Sequence, residues 1–425
     1  MNILKGQIVA LLKNIHLQEP VNGEAGKCEF IGNDYPGRIG GLVVSWWQTE
    51  RTLKITENIS FVIIRDFEKF SACDPDSIQE IVSSTIQKIS MNAEYFDCDY
   101  VFFKRKENLF LCRSNDDVGS FSLSVVEKII ENISMNISYW CTAYVAPRLI
   151  GSSFSIASEK IHVIGREDTF AWNELVRNKY KTNDFDPVAG VFNGDKSLPF
   201  ANKKYDYIFV CEEIGTSDGS KFNASLKLKM LFSIIISFSK KKNSMPLFKS
   251  SAQPYSYCVQ FPDREAQALS CKYSHIGKML PYYVSDYCIS DEEISEILDW
   301  YASVASLELE KTNRVVKSAH YINHALNSSD IESYINYFIS LDALFGKRGS
   351  VEKSIEDGIA GLNIPSKEKE KISWLFNLRN ELVHGGSRHT KEWSDYYRYY
   401  RHFGSEPQHD IENLAMIALR QFPTL

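Results

Sequence analysis

The sequence predicts an α+β protein, a mixed α/β N-terminal region followed by an all-α helical bundle. Three observations predict it. In the first half of the chain, β-branched and aromatic runs alternate with helical periodicities. Pro246, Pro254, Pro262 and Pro281 then interrupt the pattern. From Ser290 onward the apolar residues recur at helical spacing. A length of 425 residues fits two or three domains. The expected organisation is a mixed region over 1–240, a transition over 241–289 and a helical bundle over 290–425.

Leu42–Trp46, Ile59–Ile64, Tyr100–Phe103 and Leu109–Cys112 read as strands because β-branched and aromatic residues dominate them. Between them, Ile78, Ile81, Val82, Ile86 and Ile89 place a helix over Ser77–Ile89. Leu123–Ile133 reads as a second helix. Tyr205–Cys211 reads as a strand, bounded by the glycine-containing turn Gly215–Gly219. Phe222–Phe238 reads as a helix closed by Lys240, Lys241 and Lys242, which suit the negative end of its dipole. No internal repeat or low-complexity tract is present.

In the last third, Ser290 with Glu293 spells a capping box ahead of Ile294, Ile297, Leu298, Tyr301 and Val304. A second helix is expected over Arg314–Leu326. Asp330 is expected to cap a third, Ile331–Phe345, which stops at Gly346. Val351–Leu362 is a short helix. Pro365 and Ser366 open another, ending at Gly385 and Gly386. Ile411–Gln421 is the last of five or six helices.

Composition narrows the function classes. Apolar residues make up 44% of the chain and aromatics 13%, enough for large cores. A net charge of -6 excludes a general polyanion binder and confines any nucleic-acid site to a local basic patch. The nine cysteines show no CxxC spacing, which argues against a zinc knuckle and for small core residues in a reducing compartment. Ile8–Leu12 is broken by Lys13, and Met230–Phe238 is far short of the roughly 20 residues that span a bilayer. The expectation is a cytoplasmic protein with no membrane contact.

The chemistry concentrates in two helices. At about 100° per residue, Ile331, Ile335, Phe338, Asp342 and Phe345 share one side of the third bundle helix. An unpaired carboxylate in a buried stripe is costly, so Asp342 is expected to find a partner. Arg379 sits in the same way among Ile372, Leu375, Phe376, Leu382 and Val383. Its guanidinium cannot release its proton, and the expectation is that Asp342 and Arg379 meet. On the adjacent face, Asn377, Asn380 and His384 line up at spacings of three and four. Gly385 and Gly386 would let a substrate backbone approach. A fixed cation, a histidine and amide donors around one helix end suit phosphate chemistry. The plainer reading is a structural ion pair and a histidine placed on a helix dipole.

The segment Phe376-Asn377-Leu378-Arg379-Asn380-Glu381-Leu382-Val383-His384-Gly385 resembles the Arg-x4–6-His motif of HEPN domains, in the variant of the Apea-like group. The preceding helix pair, with Leu341-Asp342-Ala343-Leu344-Phe345, resembles that group's acid within a leucine-rich stretch. The resemblance covers roughly residues 290–425. It implies a metal-independent endoribonuclease needing no cofactor, in which the ribose 2′-hydroxyl attacks the adjacent phosphorus. His384 would be the acid or base, Arg379 the transition-state cation, Asn380 a positioning group and Asp342 the group orienting Arg379. It further implies a homodimer or higher homo-oligomer with a composite cleft, RNA (tRNA among the candidates) as substrate, and a role in antiviral defence or as a toxin. The N-terminal region would then sense a trigger, such as a phage product, or restrain the nuclease. Some HEPN domains are binding modules, and a non-catalytic dimerisation module is the rival reading. A third is a magnesium-dependent phosphoryl or nucleotidyl transfer.

Arg388, Arg398 and Arg401 interleave with Trp393, Tyr396, Tyr397, Tyr399 and Tyr400. Such a segment suits RNA phosphates and unstacked bases, or else a helix packing its tyrosines and solvating its arginines. With Asn377 and Gly385, these arginines complete the expected substrate contacts. His320 and His324 stand one helical turn apart but lack a third metal ligand nearby, so no metal site is expected.

Overall fold

The computed structural model describes residues 2–17, 29–34, 43–90, 92, 94–97, 111–115, 117–146, 148–165, 168, 171, 207–242, 257–262, 272–281 and 283–425. The chain forms two compact units, residues 1–140 with 214–220, and residues 141–213 with 221–425. The architecture is mixed, with helices and a six-stranded sheet.

In the first unit, α1 (Asn2–Leu12) precedes the antiparallel pair β1 (Glu29–Asp34) and β2 (Val43–Gln48). Helices α2 (Glu50–Asp66), α3 (Pro75–Ser90) and α4 (Val118–Asn136) follow. α3, α4 and β2 stand where the periodicity placed them. Ile59–Ile64, expected as a strand, lies within α2. Its composition favours a strand, but Ile55, Ile59, Val62 and Ile63 place one helical face on the core while Phe61 stays exposed. Thr49 starts the helix by accepting a hydrogen bond from the Thr52 amide at 3.3 Å. Leu111 and Cys112, also expected in a strand, form a 3-10 turn, and the Leu111 amide donates to the Ile15 carbonyl at 2.9 Å. Tyr100–Phe103 lies outside the described residues.

The Gly215–Gly219 stretch is not a turn but a strand end running into a helix. Its glycines serve close approach, since a Cβ on Gly215 or Gly219 would meet the Ala72 carbonyl oxygen at 2.0 or 2.4 Å. Thr216 Oγ1 donates to Asp74 at 2.6 Å and accepts from its amide at 3.0 Å.

β3 (Ser138–Ala146) runs into the second unit, followed by β4 (Leu149–Gly151), β5 (Phe154–Ile156), β6 (Ile161–Gly165) and β7 (Tyr207–Gly215), whose last two residues belong to the first. Helix α5 (Ser217–Lys242) comes next, then β8 (Tyr257–Pro262), β9 (Lys272–His275) and β10 (Tyr287–Ile289). The six-stranded sheet runs β5-β6-β7-β3-β8-β9, and β10 pairs with β4 in parallel. The expected transition segment 241–289 therefore carries strands, two of them in the main sheet.

α5 is long and apolar enough to cross a membrane by length and composition, yet 72% of its apolar window is buried within the protein. Its Phe232 ring meets Tyr144 of β3 and Phe209 of β7 at 5.7 and 4.7 Å between centroids. On its other side Ser233 Oγ donates to the Ala319 carbonyl at 2.8 Å. α5 thus lies between the sheet and the helices that follow, and a single hydrophobic core runs from Tyr144 to Phe422.

Those helices are α6 (Asp291–Ala305), α7 (Leu309–Asn327), α8 (Asp330–Phe345), α9 (Val351–Gly361), α10 (Ser366–Val383), α11 (Tyr396–Phe403) and α12 (Pro407–Gln421). The capping box forms as the sequence spells it, Ser290 Oγ accepting from the Glu293 amide and Glu293 Oε2 from the Ser290 amide. Asp330 does not cap α8; Ser329 holds that position. Asp330 adopts a left-handed φ of 46° and turns its carboxylate to the segment after α10. There it accepts from the amide and hydroxyl of Thr390 and lies 3.4 Å from His389 Nε2. Cys73, Cys141, Cys211 and Cys258 are buried as small core residues, whereas Cys288 is exposed.

Candidate functional site

α10 carries the site, and its packing explains where each group points. Leu375, Leu378 and Leu382 bury its central face. One flank meets α11 and α12 and the other opens on a cleft of about 380 Å³ shared with α8 and α9. Phe338, Ile355 and Phe376 are buried beneath this cleft, and the Phe338 and Phe376 rings meet at 5.0 Å and 62°. Asp342, Glu352, Arg379 and Asn380 supply its polar groups.

The buried Asp342–Arg379 pair expected from the helical wheels is absent. Asp342 is exposed, because α8 is rotated so that Tyr334, Tyr337, Phe338, Leu341 and Leu344 face the core. Ile335 and Phe345, counted in the buried stripe, are only half-buried. The wheel weighted isoleucines, whereas the fold buries two tyrosines whose hydroxyls find partners. Tyr334 donates to the Leu375 carbonyl and Tyr337 to Glu412. Asp342 and Arg379 do share the cleft, but no ion pair joins them. The guanidinium donates to Asn380 Oδ1 at 3.0 Å. Asp342 folds back over Gly346, where a Cβ would meet Asp342 Oδ1 at 1.8 Å.

His384 is the C-cap of α10 and exposed; its amide donates to the Asn380 carbonyl at 3.0 Å. Arg379 and His384 lie five residues apart, about 140° around the axis, and no hydrogen bond joins them. Asn380 is about 40° from His384 and bonded to Arg379, so it links their faces. Asn377 is exposed on the histidine's side.

The two glycines have different reasons. Gly385 has φ 75° and open space around it, as a residue leaving a helix needs. Gly386 makes room for a neighbouring side chain. A Cβ there would meet Glu381 Cγ at 2.7 Å, and Glu381 is held in place by the Ser387 hydroxyl.

The three expected RNA-contacting arginines separate. Arg388 pairs with Glu392 at 2.8 Å and is 90% exposed. Arg398 lies over the Trp374 ring at 5.0 Å and 3.8 Å from Asp395, and His402 stacks on the same indole at 6.0 Å and 12°. Arg401 is exposed beside Tyr397 and Tyr400, which are 73% and 48% exposed. Tyr396 and Tyr399 face inward. The segment therefore divides into a packing face and a solvent face.

The sequence reading missed two features. Glu352 reaches the cleft from α9, a helix given no chemical role. The buried ion pair of the bundle is Lys371 with Asp410, at 2.9 Å, their side chains 5% and 3% exposed. Lys371 also donates to Glu368 at 2.8 Å, and Asp410 accepts from the hydroxyls of Tyr399 and Ser405 at 2.7 and 2.5 Å. The sequence carries its signal: Lys371 stands one and two turns before Leu375 and Leu378, a charge within an apolar stripe like Arg379.

His320 and His324 have ring centroids 4.6 Å apart, with Lys229 beside them. Burial, then His324 and Lys229, pushes the His320 imidazole down to about 4. Among the described residues no group of three or more His, Cys, Asp or Glu is placed to hold a metal. No family model, no curated protein and no solved structure matches this chain.

Proposed function

We propose that this protein is a metal-independent endoribonuclease of the HEPN type, acting as a homodimer in the cytoplasm. The observation that carries the reading is a guanidinium lining a cleft with only an amide for a partner, five residues before an exposed histidine at the same helix end. In the proposed reaction the 2′-oxygen bonds to phosphorus and the bond from phosphorus to the 5′-oxygen breaks. The 2′-hydroxyl gives up a proton and the departing 5′-oxygen takes one; His384 makes one of these transfers, and water or the histidine of a second copy makes the other. Arg379 donates to the non-bridging oxygens as negative charge grows on them. Asn380 holds the guanidinium. The products are a cyclic phosphate and a 5′-hydroxyl.

The divergence of Arg379 and His384 favours a composite site. A second copy would bring its own α10 end to the first, so that arginine and histidine on one phosphate come from different chains. Residues 1–240 would hold the nuclease at a low basal rate that purified protein still shows, until a trigger, such as a phage product, raises it as an antiviral or toxic effector.

The test is total cellular RNA incubated in EDTA with purified wild type beside His384→Ala. Cleavage by the wild type alone supports the nuclease. Cleavage by neither refutes it in favour of a binding or dimerisation module.

A further inference from the structure

The α8–α9–α10 cleft holds more unpaired charge than the proposed reaction uses. Among the described residues neither the Asp342 nor the Glu352 carboxylate has a hydrogen-bond or ion-pair partner, although Arg379 lines the same cleft. Two free carboxylates and a nearly free guanidinium thus face one volume without neutralising one another. Beneath them lies a buried apolar floor of Phe338, Ile355 and Phe376, edged by half-buried Ile335. A volume of about 380 Å³ falls within the range of small-molecule sites.

These features narrow the ligand. An apolar, aromatic floor suits the face of a flat ring. Ionised carboxylates only accept, so the ring must present N–H donors at its edge. Arg379 disfavours a metal ion and favours an attached anion. Among the RNA bases, guanine alone carries two adjacent donors on its Watson–Crick edge, N1–H and N2–H, which match the two oxygens of one carboxylate. Adenine and cytosine pair a donor with an acceptor there, and that acceptor would face a carboxylate oxygen.

We propose that this cleft is a guanine-binding subsite, in which Asp342 and Glu352 accept from the base edge and Arg379 holds the adjoining phosphate. This rests on the ribonuclease reading and gives it a base preference. Asp342 then recognises substrate rather than orienting Arg379.

The test is calorimetric titration of the full chain with guanosine 5′-monophosphate and, separately, adenosine 5′-monophosphate. It is repeated on Asp342→Asn/Glu352→Gln, an isosteric change at exposed positions that the fold tolerates. The expected result is guanosine monophosphate binding at least tenfold tighter than the adenosine nucleotide, with the difference erased in the double variant. Equal affinities, no binding of either, or a preference that survives in the double variant overturns the subsite. The two readings fail separately. RNA cleavage in EDTA without guanine selectivity leaves the nuclease standing and the subsite refuted. Guanine-selective binding without cleavage does the reverse.

Discussion

Replacing Lys371 with methionine removes one half of a buried ion pair and keeps the unbranched apolar stem. Asp410 would remain, with a side chain 3% exposed, no cation, and two hydroxyls still donating to it. Breaking a buried pair from one side costs about 3–5 kcal/mol, because the remaining charge stays desolvated. For a unit of more than about 200 residues, each kcal/mol shifts the melting temperature by about 2 °C, so the expected fall is about 6–10 °C. Adding Asp410→Asn should recover most of that loss. It removes the stranded charge while its amide oxygen still accepts from Tyr399. The assay is thermal unfolding followed by circular dichroism at neutral pH for the wild type, both single variants and the double. A Lys371→Met protein melting within 2 °C of the wild type would refute the reasoning. So would a double variant less stable than Lys371→Met alone.

The His320 imidazole, held down to about 4 in the folded protein, titrates near 6.5 when unfolded. The unfolded chain therefore takes up this proton first as pH falls. The stability the neutral ring contributes is complete above about pH 6.5 and declines toward pH 4. His320→Gln should flatten the fall in melting temperature across that window, and parallel profiles for the two proteins would contradict the assignment. Gly385→Ala forces a side chain into a left-handed conformation at a cost of about 1 kcal/mol, seen as a lower denaturation midpoint, and displaces the adjacent His384. Its RNA cleavage should fall further than its stability does; an unaltered cleavage rate would show that the histidine's position does not matter. Ser290→Ala removes the hydroxyl of the α6 capping box and should cost about 1 kcal/mol in urea unfolding, an unchanged midpoint arguing that the box is redundant. Arg401→Ala should weaken RNA binding and lower its salt dependence more than Arg388→Ala, because Arg388 already pairs with Glu392. Equal losses would mean that the Glu392 pair opens at no cost.

The helices of the second unit were legible because each signal was local. A capping box at Ser290, a glycine stop at Gly385 and apolar residues at helical spacing all act within one or two turns. The strand expected at Ile59–Ile64 failed because six residues were weighed without the seventeen-residue period around them. Of the expected site residues, three are brought to one cleft, but the sequence does not carry their geometry. Arg379, Asn380 and Asp342 do line one cleft, yet a wheel cannot show how far α8 is rotated about its own axis. That rotation is fixed by Tyr334 and Tyr337, whose hydroxyls bond to α10 and α12. Glu352 lies ten residues beyond Asp342 on another helix, and only the folded packing joins them. Asp330, read as a cap, holds the segment after the motif through Thr390, a contact across 60 residues that no local pattern encodes.

The measurement that bears most directly on the nuclease uses one single-stranded RNA and the same strand with every 2′-hydroxyl removed, both incubated with the full chain in EDTA. The account predicts that the RNA is cut to ends bearing a cyclic phosphate and a 5′-hydroxyl. It predicts that the deoxy strand stays intact and that Arg379→Ala and His384→Ala leave both strands whole. Cutting of the deoxy strand at a similar rate, or cutting of RNA that survives in His384→Ala, would contradict it.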